Sequence, residues 1–196
     1  MRKENYEEEN RSITKVEENI ASYFWKASPL YRSKKGGLHR FLRKIDVLKN
    51  FTDLELRTLS KYLHLRNYDE NEYVFKEGDR GFGFYLIYTG SVRIFAKDLK
   101  GEDSFITDLE KYDFFGELSL LESHAKRSAS VMAENNTTLL ALYIPDFEEI
   151  LNSKPIIAAK ILKSLSLITS RRFFAVTSEL KRLKHKISEY EKQQNS

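Results

Sequence analysis

Apolar residues recur at helical steps in some parts of the chain and gather in short strand-like runs in others, and the switches between them divide it into segments. From Arg11, the positions Ile13, Val16, Ile20 and Phe24 follow steps of three and four, predicting an amphipathic helix to about Ala27. The polar, acidic residues before it, 1–10, are expected to be disordered. Pro29 and the pair Gly36-Gly37 punctuate the stretch after that helix. Leu38 to Leu48 then reads as a short helix. Thr52, with Glu55 three residues later as in a capping box, opens another that carries Leu54, Leu56, Leu59 and Leu63. Beyond this, strand signals take over. YVFKEGD, GFYLIYTG and SVRIFAK are short, rich in aromatic and β-branched residues, and bounded by Gly, Asp or Asn, so they predict strands. Gly78, Gly90 and Gly101 sit where those strands turn. Asp103 to Leu109, Ser130–Ala133 and Thr138–Ile144 read as further strands. From Pro145 the pattern is helical again, first PDFEEILNS and then a long helix from about Pro155, each with a proline at its start.

Many short strands with regular turns imply a roll or jelly-roll barrel and not a parallel sheet. The expected class is α+β, mainly β: a double-stranded β-helix, or jelly-roll-like β-roll, with N-terminal helices and a long C-terminal helix. Three regions are expected. Residues 1–37 form a tail and helical extension, 38–153 the roll with its helical lead-in, and 154–196 a dimerisation helix. On that last helix Phe173, Val176, Leu180, Leu183, Ile187 and Tyr190 alternate steps of three and four, a heptad seam. A second copy of the helix is the simplest partner, giving a homodimer. The helix predicted over 11–27 is the other partner the pattern allows; that segment fits either a dimerisation arm or a lid on the roll.

At 196 residues and 41% apolar content, the chain is large enough for one domain with a real core and an appendage. It has no cysteine, which excludes disulfides and thiolate metal sites. No stretch approaches eighteen consecutive apolar residues, and the opening MRKENYEEEN does not read as a signal peptide, so a cytoplasmic location is expected. A net charge of +4 is weak support for nucleic-acid binding. The basic run Arg171, Arg172, Lys181, Arg182, Lys184 and Lys186 reads as a solvated helix face. The histidines are His39, His64, His124 and His185, scattered rather than clustered as a cupin-type metal site needs, and no nucleophile–base pair stands out. Neither enzymatic activity, a metal nor a cofactor is expected.

The chemistry gathers in DFFGELSLLESHAKRSASVMA, Asp113 to Ala133. Gly116 lets the backbone turn its N–H groups into a small anion nest. Arg127 can hold a phosphate with its planar fork, and Ser128 adds a hydroxyl donor. Glu117, an acceptor ten residues before Arg127, suits a sugar hydroxyl or can steady the guanidinium.

The run GELSLLESHAKRSASV resembles the signature of cyclic-nucleotide-binding domains, shared by catabolite activator-type regulators, cyclic-nucleotide-dependent kinases and gated channels. EYVFKEGDRGFGFYLIYTGSVRIF resembles the opening strands of the same family, and IDVLKNFTDLELRTLSKYL its helical lead-in. The resemblance implies a ligand, cAMP or cGMP with cAMP favoured. It places the phosphate and ribose on Gly116, Glu117, Leu118, Ser119, Arg127, Ser128 and Ala129. Thr107, Ile94 and Leu109 fall at base-contacting and wall positions. Arg172 and Phe173 fall where activators carry Thr and Ser against the adenine; Phe173 is expected to stack on the base and Arg172 to cap it. Thr177 and Ser178 would serve only with a shifted helix register. Two turns depart from the family. Tyr112 replaces a usual glycine, which requires its backbone to avoid the left-handed region, and Asn71 replaces another but tolerates that conformation. No segment after the long helix resembles a DNA-binding winged helix, so DNA binding is not expected. The resemblance implies a stand-alone regulatory protein that signals to an effector protein. The alternative is a dimeric scaffold whose degenerate roll binds no nucleotide.

Overall fold

The computed structural model describes residues 37–194 except 99, 123 and 124, so the segment predicted as a helix over 11–27, and His124, lie outside the described residues. The order is α1 (Leu38–Leu42), a 3₁₀ turn (Asp46–Leu48), α2 (Asp53–Leu59), β1 (His64–Tyr68), β2 (Tyr73–Phe75), β3 (Gly83–Thr89), β4 (Ser91–Lys97), β5 (Asp103–Glu110) and β6 (Phe114–Phe115). Next come α3 (Leu118–Leu121), β7 (Ser130–Ala133), β8 (Thr137–Tyr143), α4 (Ile144–Ser153) and α5 (Pro155–Gln194). Two four-stranded sheets, β1-β8-β3-β6 and β2-β7-β4-β5, are antiparallel throughout. This is the mainly β roll with flanking helices that the strand spacing predicts.

The first sheet is buried on both faces, and β3 shows how. Phe84 and Leu86 point into a cluster with Leu42, Leu48, Leu56, Phe147 and Ile161 from the helices. Tyr85 and Ile87, on the opposite face, join Val92, Phe115, Val131 and Leu139 between the sheets. Alternation along a strand therefore supplies two cores instead of one core and a wet face.

Three details differ from the sequence reading. The helix expected over Leu38 to Leu48 is divided, because Ile45 takes an extended backbone between α1 and the 3₁₀ turn. β1, HLRNY, has no apolar alternation of its own and is a strand through its pairing with β8. Tyr112 does not avoid the left-handed region: its φ is 82°. Its ring stacks on Phe41 at 5.1 Å, and the Lys44 and Lys111 ammonium groups each lie 5.3 Å from it. These contacts offset a backbone cost of roughly 1–2 kcal/mol. Asn71, at φ 64°, takes the conformation expected of it.

The capping box forms: Thr52 accepts from the Glu55 backbone, and the Glu55 carboxylate accepts from the Thr52 backbone at 2.7 Å. The same carboxylate receives the Lys160 ammonium at 2.7 Å, tying α2 to the start of α5. That hydrogen bond from Lys160 holds the Glu55 carboxyl below its ordinary range. Ile157, Ala158, Ile161 and Leu165 of α5 are buried against the first cluster. Farther along, Phe173, Val176, Leu180 and Leu183 of the predicted seam are exposed, and the side chains of Ile187 and Tyr190 lie outside the described residues.

Candidate functional site

The segment between β6 and β7 folds back on the turn after β2. Arg127 N–H donates to Asp79 O at 2.8 Å, Gly78 N–H to Arg127 O at 2.9 Å, and Glu77 N–H to Ser130 Oγ at 2.9 Å. Gly116 makes the other bend at φ 75°, and a Cβ there would lie 2.5 Å from Arg127 Nη1. Both the left-handed backbone and the close approach demand glycine.

These turns bury Arg127, which is 6% exposed. Its Nη1 donates to Gly116 O (3.1 Å) and to Ser119 Oγ (2.8 Å), and its Nη2 to Gly83 O (2.9 Å). The guanidinium carbon lies 4.0 Å from the centre of the Phe75 ring, a cation–π stack. Arg127 Nε is buried with no hydrogen-bond partner. Burial lowers the pKa of the guanidinium from its usual value, and Tyr85, Glu117 and Asp79 act against that. A desolvated cation with an unused donor suits an anion.

Glu117 is equally buried, at 7%. Arg172 reaches it from α5, donating Nη1 to Oε1 at 2.5 Å, with its guanidinium carbon 5.5 Å from the Phe114 ring. The pair spans 55 residues. It fixes which face of α5 meets the roll, and only Oε1 of the carboxylate is engaged in it.

Around these groups lies an open cavity of ≈ 240 Å³. Of the residues singled out from the sequence, Gly116, Glu117, Leu118, Ser119, Arg127, Ser128, Ala129, Ile94 and Arg172 line it. Thr107, Leu109 and Phe173 do not. Thr107 is exposed, and its hydroxyl donates to Asp108 O at 3.2 Å. The cause is a register shift: Ile94 pairs with Thr107 but Phe95 with Phe105, leaving Ile106 as the extra residue of a β-bulge. The bulge re-aims the strand so that Ile106 forms the wall. Leu109 packs into the core between the sheets. Phe173 is 66% exposed and touches Phe174, not the cavity, since consecutive helical side chains diverge by about 100°. Arg172 faces the roll, so Phe173 faces away, and the expected stacking on a base does not occur in this arrangement.

Phe75, Ile106, Phe115, Lys126 and Val131 also line the cavity and were not singled out from the sequence. Lys126 was legible in principle, being the neighbour of Arg127. Phe75 carries the one strong hint among the others, an aromatic on the strand just before the Gly78 turn. Among the described lining residues, Lys126, Arg127 and Arg172 face a single carboxylate, Glu117, so the cavity is net positive.

Comparison with known proteins agrees with this geometry. The chain is 34% identical over 119 residues to the cyclic AMP receptor protein of Thermus thermophilus, a match covering 61% of this chain and 53% of the receptor. It is 33% identical over 98 residues to human cGMP-dependent protein kinase 2, covering 49% of this chain and 13% of the kinase. It thus spans about half of the first relative's length and far less of the second's. The crystal structure of the Thermus thermophilus catabolite activator protein superposes with a TM-score of 0.64 at 29% identity, over 71% of this chain and 63% of that one. Residues 65–154, which include the Gly116–Ala129 segment, match the family model of the cyclic nucleotide-binding domain.

Proposed function

We propose that the protein is a non-enzymatic sensor of a 3′,5′-cyclic nucleotide. One observation carries the reading: a guanidinium only 6% exposed, with Nε unpartnered, beside the Ser128 hydroxyl in a net positive cavity. A cyclic phosphate supplies the missing acceptor, and its single negative charge answers the excess of cations. Glu117 accepts a ribose hydroxyl on the oxygen that Arg172 leaves open, and the apolar walls take sugar and base. The sequence reading favours cAMP over cGMP for that base. The reading also includes a cytoplasmic location, in keeping with the cysteine-free composition.

Because Arg172 and a ribose share one carboxylate, occupancy of the cavity biases the position of α5. The exposed seam beyond it then serves a second copy of the chain, and the rearranged helices signal to an effector protein. No group in this scheme makes or breaks a covalent bond. A specific observation favours the alternative, a scaffold without nucleotide: Arg127 already holds Gly83 O, Gly116 O and Ser119 Oγ.

Calorimetric titration with cAMP and cGMP separates the two. The expected result is one site per chain, lost in Arg127→Ala and weakened about tenfold in Ser128→Ala. The Ser128 change removes an exposed hydroxyl and leaves the fold intact, so it reports binding even where the Arg127 variant unfolds. Absence of saturable heat and of any thermal shift with either nucleotide at millimolar concentration overturns the sensor and leaves the scaffold.

A further inference from the structure

Outside the Gly116–Ala129 segment, the side chains lining the cavity are Phe75, Ile94, Ile106, Phe115, Val131 and Arg172. Five are apolar and the sixth is a guanidinium. A base seated against these walls meets one polar group, and that group only donates. Thr107, the hydroxyl expected to contact the base, is turned to solvent by the bulge at Ile106. Arg172 is oriented from two sides, by Glu117 Oε1 at 2.5 Å and by the Phe114 ring. Among the described residues, no other hydrogen bond engages it, which leaves Nε and Nη2 for a ligand.

Resting on the nucleotide-sensor reading, we propose that Arg172 is the base-reading residue and selects purines that present two adjacent acceptors, O6 and N7, over adenine. Guanine and hypoxanthine both offer that pair to a planar fork of donors. Adenine offers N7 beside an N6 amino group, which sets donor against donor. At adenine the N6 amino group faces the guanidinium itself, and a donor set against a donor is where discrimination becomes large. The preference therefore runs opposite to the cAMP expectation from the resemblance. It arises from one side chain on α5 rather than from the roll.

The test is competitive titration of the full chain with cAMP, cGMP and cyclic IMP, on the wild type and on Arg172→Gln and Arg172→Ala. The expected wild-type result is cGMP and cyclic IMP binding alike, about tenfold or more tighter than cAMP. Cyclic IMP lacks the 2-amino group, so its equality with cGMP assigns the selection to O6 and N7. Arg172→Gln, whose amide pairs a donor and an acceptor with adenine N6 and N7, reverses the order. Arg172→Ala erases it. Four results overturn the proposal: cAMP binding as tightly as the other two in the wild type, cGMP alone binding tightly, Arg172→Gln weakening all three equally, or the wild-type order surviving in Arg172→Ala. Failure of all three nucleotides to bind is a different result, because it removes the sensor reading itself.

Discussion

The two ends of the cavity are built by opposite means. At the Arg127 end most of the groups are close in sequence, Arg127 and Glu117 are buried, and backbone carbonyls clamp the guanidinium; the fold and the proposed anion site share the same hydrogen bonds. At the other end the polar chemistry is a single half-exposed side chain delivered by a helix. At the first end, a substitution at Gly116 or Arg127 is expected to damage folding and, on the sensor reading, ligand affinity together. A substitution at the second changes what is recognised and leaves the roll standing. On the sensor reading, affinity would be housed in the buried turn, and selectivity and signalling in a helix held at its buried start and by the Arg172–Glu117 pair.

The largest effect expected is at Gly116. Gly116→Ala places a Cβ 2.5 Å from Arg127 Nη1 and 3.1 Å from Gly83 O at a φ of 75°. A loss of about 2–4 kcal/mol is expected, read as a lower urea midpoint. An unchanged midpoint would mean that the anion site is not part of the folding core. The opposite behaviour is expected on α5. Leu180→Asp combined with Leu183→Asp leaves the urea midpoint within about 0.5 kcal/mol, since both side chains are exposed, and converts a dimer to a monomer in sedimentation. A wild-type chain that already sediments as a monomer counts against the seam. The smallest effect concerns the base of α5. Glu55→Gln weakens the tie to Lys160 by no more than about 1 kcal/mol, because water screens this partly exposed pair. The sign with pH comes from the depressed carboxyl. Its contribution is fully present above the ordinary value of 4.5 and is lost as pH falls through the lowered folded-state value, so wild type and variant converge in acid. A difference that grows in acid contradicts this.

Much of the roll was legible because its signals are local. Thr52 and Glu55 are three residues apart, and Gly78, Gly90 and Gly101 each take positive φ at a turn. Glu117 to Ser128 is one contiguous run, and the structure brings Glu117, Leu118, Ser119, Arg127 and Ser128 of it to one cavity. What failed to show depends on geometry accumulated over distance. Whether Arg172 or Phe173 meets the cavity depends on the phase of α5, set by Ile157, Ala158, Ile161 and Leu165 at its buried start. Whether Thr107 or Ile106 faces inward depends on one bulge, which shifts the pleat without changing the apolar pattern of β5. Tyr112 was misread because a non-glycine residue was expected to avoid the left-handed region at this turn. Stacking on Phe41, a residue 71 positions earlier, holds the strained backbone instead.

The anchoring of α5 has a mechanical consequence. Leu165 is its last fully buried side chain, yet the helix continues to Gln194, about 44 Å farther at 1.5 Å per residue. Arg172 pulls on this rod about 10 Å beyond the pivot, near its short end. A tilt of about 10° moves Arg172 by less than about 2 Å and the far tip by about 8 Å. On the sensor reading the roll would act as the fulcrum of a lever with roughly fourfold gain. Under the sensor reading, a shift the size of one hydrogen bond at Arg172 would become a displacement of about 8 Å at the tip.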